Sequence, residues 1–548
     1  FSKNIYAKGL LKTKNNDSTF YINTIVPDLS YQSNAVSNLV INVNGINDSL
    51  KFNITADTAR ASSILLNKTS IVGGFSDKNI NADVVTKDES GKDKYALGIT
   101  GTRTGDKSSI TVKDKLKLNY ADWTVSNKNK IEFGTEGFNI SQLEITNKSQ
   151  RVYVNSTSPD MNAPMDIAIE KFQLSTITSV LNKDSLLIGG VLNVSMKVDD
   201  LKNKIPTLDG TVKVDSLSYN TLPVGTIDVK ATAINGNVNM SGGLTGYGNN
   251  VELKGNYNES NIDAQINLNP IQVKTIEPFS KGNLIRSRGT ISGPINIKGT
   301  TSNPTWDGNL KFDSVYTNLA KYGTAITIEN QNIQLDYPTI TLNNFTLKDS
   351  ANHSLIVNGT LEQDAKKGFL ANLTVYTKDF IAVNSTAVQN NEVYGVAIVD
   401  VEAEVTGPIA TPEITGNMGL KDKSNITYVR QRKEADVKER EGVMEFVDVD
   451  TIPNLLYRRK IKNDSTSYGV ESAFLKYNLN IDIDKNAELN IIVDPITRDQ
   501  LTVKGGAQLN AGVNPNGSIA LTGAYNLTKG SYNLSYQFIK RKFELQEG

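Results

Sequence analysis

The stretch Leu475 to Asp484 reads Leu-Lys-Tyr-Asn-Leu-Asn-Ile-Asp-Ile-Asp, apolar at every odd position and polar or charged at every even one. A period of two describes a strand with one dry face and one wet face. No other feature constrains the fold as much, because the alternation recurs along nearly the whole chain. It returns in Leu116, Leu118 and Tyr120, in Ile262, Ala264, Ile266 and Leu268, in Leu310 and Phe312, and in Ile519 and Leu521. The pattern calls for an all-β chain, one long antiparallel meander, and what covers its dry face becomes the functional question.

The 548 residues would fill about two to four ordinary domains, yet no Ser/Pro linker or composition shift divides them. One elongated body is therefore expected. Hydrophobic residues make up 38% and the mean hydropathy is -0.32; even counted with glycine the apolar share stays below the ~45 to 50% of globular domains. That leanness suits a sheet buried on one face. Prolines number 15, few enough for paired strands, and Asn44-Gly45, Asn235-Gly236, Asn358-Gly359 and Asn516-Gly517 read as hairpin corners. Strands of about 6 to 9 residues give roughly 40 in all, stacking at ~4.8 Å to a body on the order of 150 to 200 Å long.

Composition also excludes classes of function. Lysine plus arginine and aspartate plus glutamate both total 58, so the net charge is zero and a dedicated nucleic-acid binder is not expected. There is no cysteine, hence no disulfide, thiolate metal site or cysteine nucleophile. No run of about 18 apolar residues exists to span a bilayer as a helix, and no signal peptide opens the chain. With Phe1 in first place, the expectation is a fragment whose anchor lies upstream.

A longer repeat overlies the strand pattern. Shifting Phe172, Leu174, Thr176, Ile177, Val180 and Gly190 by 99 residues lands on Ile271, Val273, Thr275, Ile276, Phe279 and Gly289. Each set is a short helix-like stripe ending at glycine, followed by a strand and by Pro-x-x-x-Gly: Pro206 to Gly210, Pro304 to Gly308 and, in a third copy opening near Gly395, Pro412 to Gly416. A unit of about 100 residues fits neither a β-helix coil of ~20 to 30 nor a propeller blade of ~40 to 50. The divisions expected are 1-169, 170-269, 270-379 and 380-548.

The run Gly289-Thr-Ile-Ser-Gly-Pro-Ile-Asn-Ile-Lys-Gly299, continued by Pro304 and Gly308, resembles the AsmA-like and TamB-like proteins of Gram-negative envelopes. The ending is closer to TamB. Gly523-Ala-Tyr525-Asn-Leu527-Thr-Lys-Gly530-Ser-Tyr532-Asn-Leu534, then Lys540-Arg541-Lys-Phe543-Glu-Leu545, resembles the start of that family's C-terminal signature, and Ile426-Thr-Tyr428 with Glu439 to Asp448 is similar to its Bacteroidetes form. The likeness covers Phe172 to Gly548; upstream only the strand pattern speaks for it. It implies a sheet curled lengthwise into an open U-shaped groove with short helical links. In function it implies a periplasmic bridge, anchored in the inner membrane through a missing N-terminal segment, that moves phospholipids between the inner and outer membranes or assists outer-membrane protein insertion. An Omp85-family outer-membrane barrel would be the partner at the C-terminal end, beyond Gly548, where the family continues with more strands.

The expected groove lining is the dry face: Ile262, Ile266, Leu268, Ile295, Ile297, Leu310, Phe312, Leu475, Tyr477, Leu479, Ile481, Ile483, Leu489, Ile491, Leu509, Ile519 and Leu521. The plain alternative is that these side chains close into a sandwich core. The basic cluster Arg458, Arg459, Lys460 and Lys462 could meet anionic head groups or remain a hydrated turn, and the mixed charges from Arg430 to Glu441 read as a solvated loop. The single histidine, His353, reads as a surface turn residue, so no His-dependent triad or multi-histidine metal site can be assembled. Neither a Gly-x-Ser-x-Gly elbow nor a phosphate-binding loop occurs. No enzyme and no cofactor are expected. Asp-Ser-Leu at Asp48, Asp184 and Asp215, with Asp-Thr-Ala at Asp57, resembles a periplasmic O-glycosylation motif of Bacteroidetes. Two further classes stay open: a scaffold or chaperone for outer-membrane barrel assembly working through sheet edges, and a surface adhesin with a sealed dry face.

Overall fold

A computed structural model describes residues 5-14, 17-32, 34-62, 64-178, 188-430, 476-495, 497, 499-513, 519-536, 539-546 and 548. The expected corner Asn516-Gly517, the charged run from residue 431, the basic cluster Arg458 to Lys462 and Leu475 lie outside the described residues. The chain divides into two compact units, Phe1–Lys281 with Arg288–Lys311, and Gly282–Ser287 with Phe312–Gly548.

The fold is all-β, built from hairpin after hairpin. In the first unit, strands such as Ser49–Ala61, Ile64–Ser76, Thr207–Tyr219 and Leu222–Ile234 pair antiparallel with the next in sequence. Tight turns join them, with positive φ at Asn235 and Gly236 (50° and 75°) or Asn220 and Thr221 (48° and 67°), the twist that two-residue hairpin loops need. Two of the expected corners are not corners. Asn44-Gly45 lies inside the strand Asn34–Ile46, where the Phe20 ring occupies the space a side chain at Gly45 would fill. Asn358-Gly359 lies inside Ser354–Asp364, where Gly359 lets the backbone of Asn372 approach. Glycine serves close packing at both places.

Strands reach 12 to 18 residues, as in Ile188–Asp199 and Gly368–Ser385, longer than expected, because bulges carry them on after a break in alternation. At Ile169/Phe172, Val214/Leu217, Leu268/Ile271, Leu342/Phe345 and Thr377/Phe380 the pairing register slips by one residue. Side chains i and i+3 then stand on the same face, and the strand bends. Residues at such bends take left-handed conformations, including Lys171, Ser216, Asn344 and Asp379. The aromatic after the bulge is buried: Phe172 is 5% exposed, Phe345 6% and Phe380 4%. In the first unit Phe172 joins Leu116, Trp123 and Val125 in a closed cluster.

The helical links are short, Ser175–Thr178 and Val273–Ile276 followed by a 3-10 turn Glu277–Ser280. The corresponding place before Gly395 holds only a turn at Thr386 to Asn390. In the second unit two pairings among the described strands are parallel. Glu413–Leu420 runs parallel to Lys476–Ile483, and Asn425–Val429 parallel to Glu488–Asp494. The residues between Val429 and Lys476 are more than the dozen a parallel connection requires.

Candidate functional site: an apolar sheet face

Cross-strand partners share a face, so the registers of the hairpins can be followed from strand to strand. In the first unit one such row reads Ile145, Val152, Ile169, Val194, Val212, Val229, Gly242, Leu253, Ile266 and Ile295. The next reads Leu143, Val154, Ile167, Met196, Gly210, Ala231, Met240, Gly255, Ala264 and Ile297. Ten consecutive strands contribute no polar side chain to either row. The reverse face is largely polar: Ser195, Thr211, Lys230, Ser241, Lys254, Gln265 and Asn296 form one row of it. Arg151 there bridges Glu144 (2.6 Å) and Glu170 (2.9 Å), and its hydrogen bond to Glu144, aided by Glu170, raises its pKa further.

The apolar face is not closed. Val194, Val212, Val229, Leu253, Ile266 and Ile295 are all half-buried, unlike Trp123 at 3% in the closed cluster. The largest fully buried side chains among the described residues are only Asn139 and Thr377. A sandwich core would instead hide its leucines and isoleucines. The second unit repeats the arrangement. A row runs through Phe345, Val357, Val375, Ala403, Gly416, Leu479, Ala511 and Leu521. Beside it stand Val401, Met418, Ile481 and Leu509. Burial pushes the phenols of Tyr477 and Tyr525 above their ordinary range, as an apolar surround requires.

The residues expected on the dry face are placed as follows. Ile262, Ile266, Leu268, Ile295 and Ile297 share the apolar face of the first unit. Leu310 joins them by alternation, since Asn296 donates to Asp307 across the polar side at 2.7 Å. In the second unit Phe312 packs edge-on against Phe345, centroids 5.5 Å apart. Tyr477, Leu479, Ile481 and Leu509 are half-buried along the wall, and Leu489 and Ile491 lie opposite Val503 and Leu501. Ile483 belongs to a sealed corner with Ala397, Val399, Leu420, Ala487 and Ala507, and is 7% exposed. Leu521 is 58% exposed, and Ile519 pairs with Val513. Sequence reasoning missed the Val194, Val212, Val229 and Leu253 stretch although its alternation is equally plain. It also missed the role of the repeated Pro-x-x-x-Gly, whose Gly210 and Gly416 both stand on the apolar face.

His353 stands at the surface beside a turn, its side chain 39% exposed, and has a buried partner. Its Nδ1 lies 3.0 Å from Oδ2 of Asp349, whose side chain is wholly buried and also accepts from the amides of Ala351, His353 and Ile381. Burial alone would raise the Asp349 carboxyl, but these donors together hold it below the usual carboxylate range. The pair is a clamp between a turn and a strand. No group of three or more His, Asp or Glu able to hold a metal occurs among the described residues, and none of their helices is long and apolar enough to cross a membrane.

The family model of the TamB C-terminal domain matches residues 343–548. These residues form a TamB-like C-terminal domain. No match was found among curated proteins or among solved structures. The matched region takes in the Phe345 to Leu521 row and the sealed corner around Ile483, so the TamB domain itself carries the half-open apolar wall of the second unit.

Proposed function

We propose that this TamB-like chain is a non-enzymatic periplasmic bridge between the inner and outer membranes. Its apolar sheet face carries phospholipid acyl chains. The match of residues 343–548 to the TamB C-terminal domain supports a role in the Gram-negative envelope. One observation supports lipid as the cargo: rows of half-buried apolar side chains, interrupted only by glycine, cross ten strands with a largely polar reverse side. Taking a 16-carbon acyl chain out of water is worth about 0.8 kcal/mol per methylene, roughly 12 kcal/mol in all. An aqueous gap therefore stops a free lipid, and a continuous apolar wall removes most of that barrier. Aliphatic rows offer no head-group contact, so selectivity among phospholipids should be weak. The lining is Ile262, Ile266, Leu268, Ile295, Ile297 and Leu310 with their row partners in the first unit, and Tyr477, Leu479, Ile481 and Leu509 in the second.

A second reading is a scaffold for outer-membrane barrel assembly with an Omp85-family partner. It is favoured by exposed apolar side chains on the strands Tyr6–Lys14 and Ile539–Leu545: Leu10 and Leu11 are 52% and 71% exposed and Phe543 50%, and exposed apolar strands can pair with a client strand. Photo-crosslinking amino acids at Val212, Val229 and Leu479, and separately at Leu11 and Phe543, decide between the two. Phospholipid adducts at the first three support transport. Protein adducts confined to Leu11 and Phe543, with no lipid on the wall, overturn it.

A further inference from the structure

We propose that the polar face of the first unit carries a binding site for an uncharged polysaccharide. The site lies on five successive strands, Ser49–Ala61, Ile64–Ser76, Asn79–Lys87, Asp93–Thr104 and Lys107–Val112. An open cavity of about 590 Å³ lies over them.

Two neighbouring rows form its lining. One runs Lys51, Gly74, Asn81, Thr100 and Thr111, the other Ser49, Ser76, Asn79, Thr102 and Ser109. Gly74 makes the depression, since a Cβ there would stand 2.6 Å from the Leu50 carbonyl oxygen. Asn79, Asn81, Thr100 and Thr102 are exposed, and their side chains hydrogen-bond to no described residue. Val72, 48% exposed, stands on the same face and supplies apolar contact, whereas the Phe75 ring, across from Leu50 and Ile80, stands on the reverse face with Phe52.

The chemistry selects the ligand class. Amides and hydroxyls both donate and accept, as sugar hydroxyls do, while the C–H face of a sugar ring can rest on the exposed Val72. Lys51 is the only charged side chain in the lining. The rest of this polar face carries ion pairs such as Lys113 with Asp83 at 2.8 Å. A lone cation is too little for a polyanion, and the absence of carboxylates from the lining gives a metal ion nothing to bind. Five strands at ~4.8 Å spacing present equivalent groups over about 19 Å, a length that suits a chain of a few β-linked hexoses. The site uses the reverse of the apolar face, so it stands or falls separately from lipid transport.

The test is isothermal titration of the full chain with the uncharged tetramer of N-acetylglucosamine and with an acidic oligosaccharide of equal length. Binding of the neutral tetramer is expected. Asn81→Ala combined with Thr100→Val should weaken it about tenfold, or 1.4 kcal/mol, while Lys51→Gln, and Phe75→Ala on the reverse face, should leave it within about twofold. These side chains are exposed or half-exposed, and circular dichroism checks that each variant folds. No binding of the tetramer at millimolar concentration, wild-type affinity in the double variant, or preference for the acidic oligosaccharide would overturn the proposal.

Discussion

Replacing Leu479 by aspartate separates an open wall from a closed core. Leu479 is half-buried, and its cross-strand neighbours on the apolar face are Gly416 and Ala511, too small to seal it. Full burial of a leucine is worth about 1.5 to 3 kcal/mol, so losing half of it costs roughly 1 kcal/mol, and the new carboxylate keeps its water. Ile483, on the same strand, sits in the sealed corner at 7% exposure. Ile483→Asp loses about 2 to 3 kcal/mol of burial and strands a charge among apolar groups for several more, so ~5 kcal/mol or above is expected. Urea denaturation of both variants, followed by tyrosine fluorescence and circular dichroism, measures the difference. Leu479→Asp should fold with a modestly lowered midpoint and lose lipid adducts, whereas Ile483→Asp should unfold or aggregate. If Leu479→Asp is as damaging as Ile483→Asp, the wall is a core and the transport argument fails.

Two further outcomes follow from buried polar groups. Asp349→Ala leaves the Ile381, Ala351 and His353 amides without their acceptor, at a cost of about 2 to 3 kcal/mol. Because the folded Asp349 carboxyl titrates below its ordinary value, its contribution is present above the normal carboxylate range and fades as pH falls through the lowered value. Denaturation midpoints of wild type and variant should therefore differ at neutral pH and converge in acid; a constant gap would contradict the assignment. Asn249 is buried and donates to the Val224 carbonyl (2.8 Å) and the Thr275 hydroxyl (2.8 Å), while accepting from the Gln272 amide (2.7 Å). Asn249→Ala should release the helical link, seen as amide hydrogen exchange at 272–280 at least tenfold faster, an opening cheaper by about 1.4 kcal/mol; unchanged exchange would refute the clamp.

Alternation alone was enough to place Ile262, Ile266, Leu479 and Ile481 on the correct face, because a strand's period of two leaves no choice. Strand length was not legible. A bulge such as Ile169/Phe172 or Thr377/Phe380 puts i and i+3 on one side, and in a linear sequence that phase jump looks like a strand end or the start of a helix. The residues at the bend are no guide, since Lys171, Ser216 and Asp379 take a left-handed conformation where glycine or asparagine would be the usual sign. Conversely, Gly45 and Gly359 follow asparagine and look like turns, yet they serve a neighbouring ring and a neighbouring backbone. The rows across strands were out of reach because hairpin registers set them. The parallel pairing of Glu413–Leu420 with Lys476–Ile483 depends on a connection whose path no local pattern reveals. The partner of His353 was out of reach because the Asp349 carboxylate is drawn inward by an amide of a distant strand, Ile381.

With no native cysteine, the chain accepts single nitroxide labels cleanly, and the most direct measurement is a pair of them on adjacent residues. Leu253 lies on the apolar face and Lys254 on its reverse. With phospholipids bearing a paramagnetic acyl chain, the label at Leu253→Cys should broaden strongly and the one at Lys254→Cys should not. Equal broadening at both, or a Leu253 label frozen and silent to lipid as in a packed interior, would contradict an acyl-carrying face.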